Sequence, residues 1–172
     1  MGTFGLALPP EQLRLPPSIT FQEFYQRQSA TVYRAALRVT GNAEDAEDVL
    51  QTVFMRILNL TPPPVLETIS ESYLRRAATN AGIDILRQRT SRGESPLEGG
   101  PDHAGPASTA LLKEQMRRAL GKLDPEDAQL FVLRNLEGLS YDELADQFAV
   151  ERGTVASRLH RIRQSLLKLI TR

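Results

Sequence analysis

Ser157, His160, Arg161, Gln164 and Lys168 recur at helical spacing near the C-terminus, with Thr154 and Arg158 on the flanks of the same face and Arg152 at its start. Arginine pairs two-pronged with guanine edges, hydroxyls and amides reach other base edges, and cations further along a helix lie over phosphates. Behind this face Val155, Leu159, Ile162, Leu166 and Leu169 follow one another at steps of 4, 3, 4 and 3, which makes a single buried stripe. No acid occurs from Arg152 onward, whereas Leu123–Glu151 is crowded with acids and has Arg134 as its single base. A helix so segregated in charge points to an anionic partner, and nucleic acid fits it best. An ordinary solvated basic face is the plainer alternative. What precedes the helix counts against it: a cap at Ser140, a short helix and a turn, the order of a helix-turn-helix unit.

Two further faces stand out. Glu44, Asp48, Gln51 and Met55 share one side of a helix whose other side is Ala46, Leu50, Val53 and Ile57. A methionine exposed among acids and an amide suits a protein partner better than water. In the next helix Leu74, Ala78, Ala81 and Ile85 form the apolar stripe, and Arg76, Asn80, Ile83 and Arg87 are expected to point outward. That outward set offers cations for phosphate, an amide for a base edge and one apolar contact.

The bulk numbers narrow the choice. A chain of 172 residues, 41% hydrophobic and 24% charged, can bury a core as one domain or two small ones. The net charge is zero, with 21 bases against 21 acids, so only the distribution of charge hints at a partner. No cysteine is present, which excludes disulfides, thiolate metal sites and a cysteine nucleophile. His103 and His160 are far apart, and the Glu44–Asp48 acids lack a histidine or cysteine to assist them, so neither metal nor cofactor is expected. There is no glycine-rich phosphate loop and no acid, base and nucleophile at motif spacing, so no catalysis is expected. No apolar run is long enough to span a membrane and no basic-then-apolar leader opens the chain, so a cytoplasmic protein without membrane insertion is expected.

The elements that must hold these faces are all helical. Residues 1–18, with Pro9, Pro10, Pro16 and Pro17, read as an irregular tail. A capping box at Thr20 and Glu23, with Ile19 and Phe24 placed as a hydrophobic staple, opens the first helix, which ends at Gly41. Asn42 caps the second, and the prolines of 61–64 end it. A capping box at Thr68 and Glu71 predicts the third, to about Arg89. Ser91–Ser108, rich in Gly, Pro and Ser, predicts a flexible linker between two domains, 19–90 and 109–172. A helix over Thr109–Lys122 follows. The next is capped by Asp124 with Pro125 at its first position, a short one opens on the Ser140–Glu143 capping box, and the basic helix closes the chain. The fold class is therefore all-α, two small helical domains joined by a linker.

Three segments together resemble the extracytoplasmic-function (group 4) sigma factors of the sigma-70 family. Gly153-Thr154-Val155, Ser157-Arg158 and Arg161 match the GTV-x-SR-x-x-R pattern of the domain 4 reading helix. Ala46, Glu47, Asp48, Gln51 and Phe54 match the AED-x-x-Q-x-x-F segment of domain 2. Asn80, Asp84 and Arg87 match the segment after it. The resemblance covers about Thr20–Arg89 and Thr109–Ile170. It implies a specificity subunit of bacterial RNA polymerase that docks on the β′ clamp helices through Glu44, Glu47, Asp48, Gln51 and Met55, with domain 4 at the β flap. It implies that Tyr73, Arg76, Asn80, Ile83 and Arg87 meet the −10 element, and that Arg152, Thr154, Ser157, Arg158, His160, Arg161 and Gln164 meet the −35 element. It further implies control by an anti-sigma factor. Tyr73 stands where the family often has tryptophan, Ala156 where a basic residue is common, and Glu151 where a serine usually caps the helix, which implies a weaker or altered −35 element. The competing reading is a stand-alone helix-turn-helix regulator, which would bind duplex DNA as a dimer without polymerase.

Overall fold

The computed structural model describes residues 19–93 and 107–171. Among the described residues the regular elements are α1 (Phe21–Thr40), α2 (Ala43–Leu58), a single 3-10 turn (Leu66–Thr68), α3 (Glu71–Arg92), α4 (Ala107–Lys122), α5 (Pro125–Asn135), α6 (Tyr141–Phe148) and α7 (Arg152–Ile170). The expected tail and most of the expected linker lie outside the described residues. At the linker's edges α3 continues to Arg92 and α4 begins at Ala107, so both helices reach into Ser91–Ser108.

The first bundle starts as its sequence dictates. The Thr20 hydroxyl accepts from the Glu23 N–H at 3.2 Å, and the Glu23 carboxylate accepts from the Thr20 N–H at 2.7 Å. That backbone hydrogen bond holds the Glu23 carboxyl below the usual carboxylate range. Gly41, at φ 77°, ends α1 in the left-handed region, and Asn42 caps α2 by accepting from the Asp45 N–H at 2.8 Å. Ile19 and Phe24 both join the bundle core with Phe54, whose ring meets Phe24 edge-on at 5.9 Å.

The third helix begins later than the Thr68 pattern predicts. Ser70 is the cap, accepting from the Tyr73 N–H at 3.2 Å, while the Thr68 hydroxyl donates to the Val65 carbonyl within the 3-10 turn at 2.7 Å. Glu71 accepts a hydrogen bond from the Thr31 hydroxyl on α1 at 3.0 Å, so a contact between helices takes the carboxylate that a local box would have used.

In the second bundle Leu130, Leu133, Leu144, Leu159, Ile162 and Leu166 form the centre. The turn from α6 to α7 places Ala149 at φ 50°, ψ 46°, a conformation that costs an L-residue about 1–2 kcal/mol. The Ala149→Gly variant is expected to be more stable by about 0.5–1 kcal/mol, the relief of strain exceeding the added chain entropy of the unfolded state. A thermal melt of the two proteins checks this.

The bundles are in direct contact. Val39, Ile83 and Leu86 of the first belong to the same buried cluster as Ala119 and Leu120 of α4.

Candidate nucleic-acid interface and partner face

Helix α7 presents its polar face as expected. Val155, Leu159, Ile162 and Leu166 are buried and Leu169 is half-buried, while Arg152, Thr154, Ser157, His160, Arg161 and Gln164 are exposed. Glu151 occupies the cap without a side-chain hydrogen bond, which leaves the first amides of the helix open. Arg161 and Arg163 pair with no carboxylate among the described residues, so their charge is available to an anion. Arg152 is only loosely held, 3.4 Å from an equally exposed Asp142.

Arg158 behaves otherwise. Its Nη2 donates to Asp127 Oδ1 at 2.8 Å and to Glu126 Oε2 at 3.3 Å, and its guanidinium lies 5.9 Å from the centre of the Phe148 ring. With 18% of the side chain exposed, it fastens α7 to α5 and does not extend toward a ligand. The hydrogen bond to Asp127 raises its pKa above the usual guanidinium value. Arg158, expected on the DNA face, is in this structure turned to the carboxylates of α5. The periodicity of α7 put this arginine on the flank of the face, and acids 31 residues away decide which way it turns.

Arg134 was not among the expected site residues. Its Nη1 donates to the Leu139 carbonyl at 2.7 Å, and its guanidinium sits 4.9 Å from the Tyr141 ring centre. It braces the turn between α5 and α6, which aims α7. Its isolation as the single base in an acidic run was the available signal.

The α2 face is also as expected. Glu44, Glu47, Asp48, Gln51 and Met55 are all exposed, Met55 to 55%. Asp48, Gln51, Met55 and Asn59 form one wall of a groove, and Asp84, Ile85 and Gln88 of α3 form the other. Asp45, one residue out of register, is buried. Arg89 Nη1 meets its Oδ2 at 2.6 Å and Arg89 Nη2 its Oδ1 at 2.8 Å, a two-pronged pair that ties the start of α2 to the end of α3. One of the five arginines of α3 is therefore structural.

On α3, Tyr73, Arg76 and Arg87 are exposed and Asn80 is half-buried. Ile83 departs from its expected outward position. It is 1% exposed and packs in the cluster shared with Leu120, because the second bundle covers the edge of α3 on which it lies. Thr79, one turn earlier, is buried with its hydroxyl oxygen unpartnered. No helix among the described residues is long and apolar enough to cross a membrane, and no cluster of three potential metal ligands occurs among them.

Two family models match the chain, one after the other. The family model described as Sigma-70 region 2 matches residues 24–92, and that described as Sigma-70, region 4 matches residues 113–166. The chain is 34% identical over 158 residues to the ECF RNA polymerase sigma factor SigE of Mycolicibacterium smegmatis, covering 86% of this chain and 60% of that relative's length. It is 30% identical over 145 residues to the RNA polymerase sigma-E factor of Streptomyces avermitilis, covering 83% of this chain and 80% of the relative. Among solved structures, the complex of the sigma factor RpoE with the anti-sigma factor NepR from Bartonella quintana matches with a TM-score of 0.51 at 19% identity, over 88% of this chain and 96% of that one, a likeness of fold. Both halves of the chain, in this order and each with its helix faces formed, belong to the extracytoplasmic-function branch of the sigma-70 family of RNA polymerase sigma factors.

Proposed function

We propose that this chain is a dissociable specificity subunit that directs RNA polymerase core to particular promoters and performs no chemistry of its own. The observation that carries this reading is the exposed row Thr154, Ser157, His160, Arg161 and Gln164 over a buried stripe, on the final helix of a region 4 match that follows a region 2 match. In this reading residues 19–90 form domain 2 and 109–172 domain 4. The α2 face, from Glu44 to Met55, docks on basic side chains of the polymerase β′ clamp helices, and domain 4 approaches the β flap. Tyr73, Arg76, Asn80 and Arg87 meet the −10 element, and Arg152, Thr154, Ser157, His160, Arg161 and Gln164 the −35 element. The protein works in the cytoplasm with the polymerase, and an anti-sigma factor holds it inactive by covering these surfaces.

Run-off transcription on fragmented genomic DNA of the source organism, with bacterial core polymerase, tests the reading. Discrete transcripts that require both core and this protein are expected. Their absence, together with tight duplex binding by the protein alone, would move the assignment to a stand-alone regulator.

The roles of two neighbouring arginines separate in a paired experiment. Arg161→Ala is expected to weaken −35 duplex binding by about 1–3 kcal/mol while leaving the melting temperature unchanged, since its exposed side chain makes no hydrogen bond or ion pair among the described residues. Arg158→Ala is expected to lower stability by about 1–2 kcal/mol, because Asp127 is left half-buried and unpaired. Its loss of DNA binding should follow from the loosened helix. Denaturant melts and duplex titrations of both variants provide the check.

A further inference from the structure

Three arginines that belong to none of the faces described above line one pocket. Thr31, Arg34 and Arg38 follow one another on α1 at steps of 3 and 4, so they share one side of that helix. With Arg75 of α3, and with Leu136 and Glu137 from the end of α5, they line a cavity of about 250 Å³. Cations outnumber acids in this lining by three to one.

Little of that positive charge is spent inside the protein. Arg34 is exposed and makes no hydrogen bond or ion pair among the described residues. Arg75 has only a loose partner, Glu71 at 3.6 Å, in a pair whose side chains are 41% and 54% exposed. Arg38 donates from Nε and Nη2 to Glu137 Oε1, at 3.0 and 2.6 Å, which leaves its Nη1 out of the pair. The acids are the better satisfied side. Glu137 is held by Arg38 with its side chain 1% exposed, and Glu71 accepts from the Thr31 hydroxyl at 3.0 Å. An anion arriving from solvent therefore meets the exposed Arg34 and Arg38 before it meets Glu137.

The chemistry of the lining selects the anion. Guanidinium groups take phosphate oxygens two at a time, and three of them around one cavity can hold two phosphates that share a bridging oxygen. Leu136 is the single apolar side chain among the described lining residues and none is aromatic, so nothing here would stack on a base. A pocket that includes a carboxylate suits a compact ion better than a passing DNA strand, which is tracked by an open row of cations.

We infer that Arg34, Arg38 and Arg75 form a binding site for a diphosphate group, either free pyrophosphate or the diphosphate of a nucleotide. The site shares no residue with the proposed DNA and polymerase faces, so it stands or falls apart from them. Because α1, α3 and the end of α5 all contribute, an anion held there stabilises the folded chain by mass action.

Calorimetric titration of the full chain with inorganic pyrophosphate, without magnesium and at constant ionic strength, tests the site. Saturable binding is expected, with a melting temperature that rises in pyrophosphate and not in potassium chloride of equal ionic strength. Arg34→Gln with Arg75→Gln should weaken binding by about tenfold or more, since charge-assisted hydrogen bonds from two side chains are lost. Arg163→Gln, which removes an exposed cation from α7, should leave binding unchanged. Arg34→Gln alone, at a side chain without partners, keeps the test available if the double variant folds poorly, and should also weaken binding. A parallel titration with ADP separates the sources. ADP binding that falls in the double variant extends the site to nucleotides, and ADP that does not bind assigns it to the free ion. Pyrophosphate binding that Arg34→Gln leaves intact, or that Arg163→Gln weakens equally, would overturn the proposal. Loss of single-stranded DNA binding in Arg34→Gln, with pyrophosphate binding unaffected, would give these arginines to nucleic acid instead.

Discussion

The Leu159→Ala variant is expected to lose about 3 kcal/mol of stability, enough to leave the C-terminal bundle partly unfolded at physiological temperature. Leu159 is 0% exposed, at the middle of the Val155, Leu159, Ile162, Leu166 stripe that joins α7 to the rest of its bundle. Truncation removes the transfer free energy of the deleted carbons and leaves a cavity among Leu130, Leu133 and Leu144, which α5 and α6 hold in place. The capping box at Ser140 and the Arg134 brace keep those helices from closing over the gap, so the cost should lie within the usual range for buried leucine and not below it. His160, the next residue, is exposed on the opposite side, and His160→Ala should stay within about 0.5 kcal/mol of the parent. Urea denaturation followed by helical circular dichroism provides the comparison. Equal stability of the two variants would mean that α7 does not sit in its bundle by this stripe.

Helices α2, α3 and α7 announced their faces in sequence, and the faces of α2 and α7 appeared where the period put them. The stripe of α7 and the Glu44, Asp48, Gln51, Met55 row of α2 needed only 3.6-residue spacing. The capping boxes at Thr20 and Ser140 needed only neighbours three residues apart. What was illegible depends on residues distant in the chain. Ile83 sits in an outward row by period, but the second bundle buries it, and no local pattern announces a contact with α4. Arg158 and Arg89 look like free cations until Asp127 and Asp45 are brought to them by tertiary packing. Thr68 satisfied a capping rule and lost to Ser70 because Glu71 finds Thr31 on α1. The turn before α7 was legible, but its left-handed position was not, since Ala149 holds it and alanine does not favour that conformation.

The Asp48→Lys variant, combined with Gln51→Ala, is expected to bind RNA polymerase core at least tenfold more weakly, while folding as the parent does. Asp48 and Gln51 are exposed one turn apart on α2, facing the groove that Ala81, Asp84, Ile85 and Gln88 border from α3. Neither makes a hydrogen bond or ion pair within the chain among the described residues, so their replacement removes nothing that holds the bundle together. In the proposed complex the partner's surface here is basic. Reversing one charge then both deletes an attraction and adds a repulsion, an effect that reaches several kcal/mol when like charges meet across an interface; a tenfold loss corresponds to about 1.4 kcal/mol and is the lower bound. Asp45→Ala is the informative contrast. It lies in the same acidic run, but it is the buried partner of Arg89, so its loss should lower the melting temperature first. Titration of labelled protein with core polymerase, alongside thermal melts, separates the two outcomes. A folded Asp48→Lys, Gln51→Ala protein that bound core as tightly as the parent would remove the α2 face from the docking surface and leave Met55, exposed among acids, without a function.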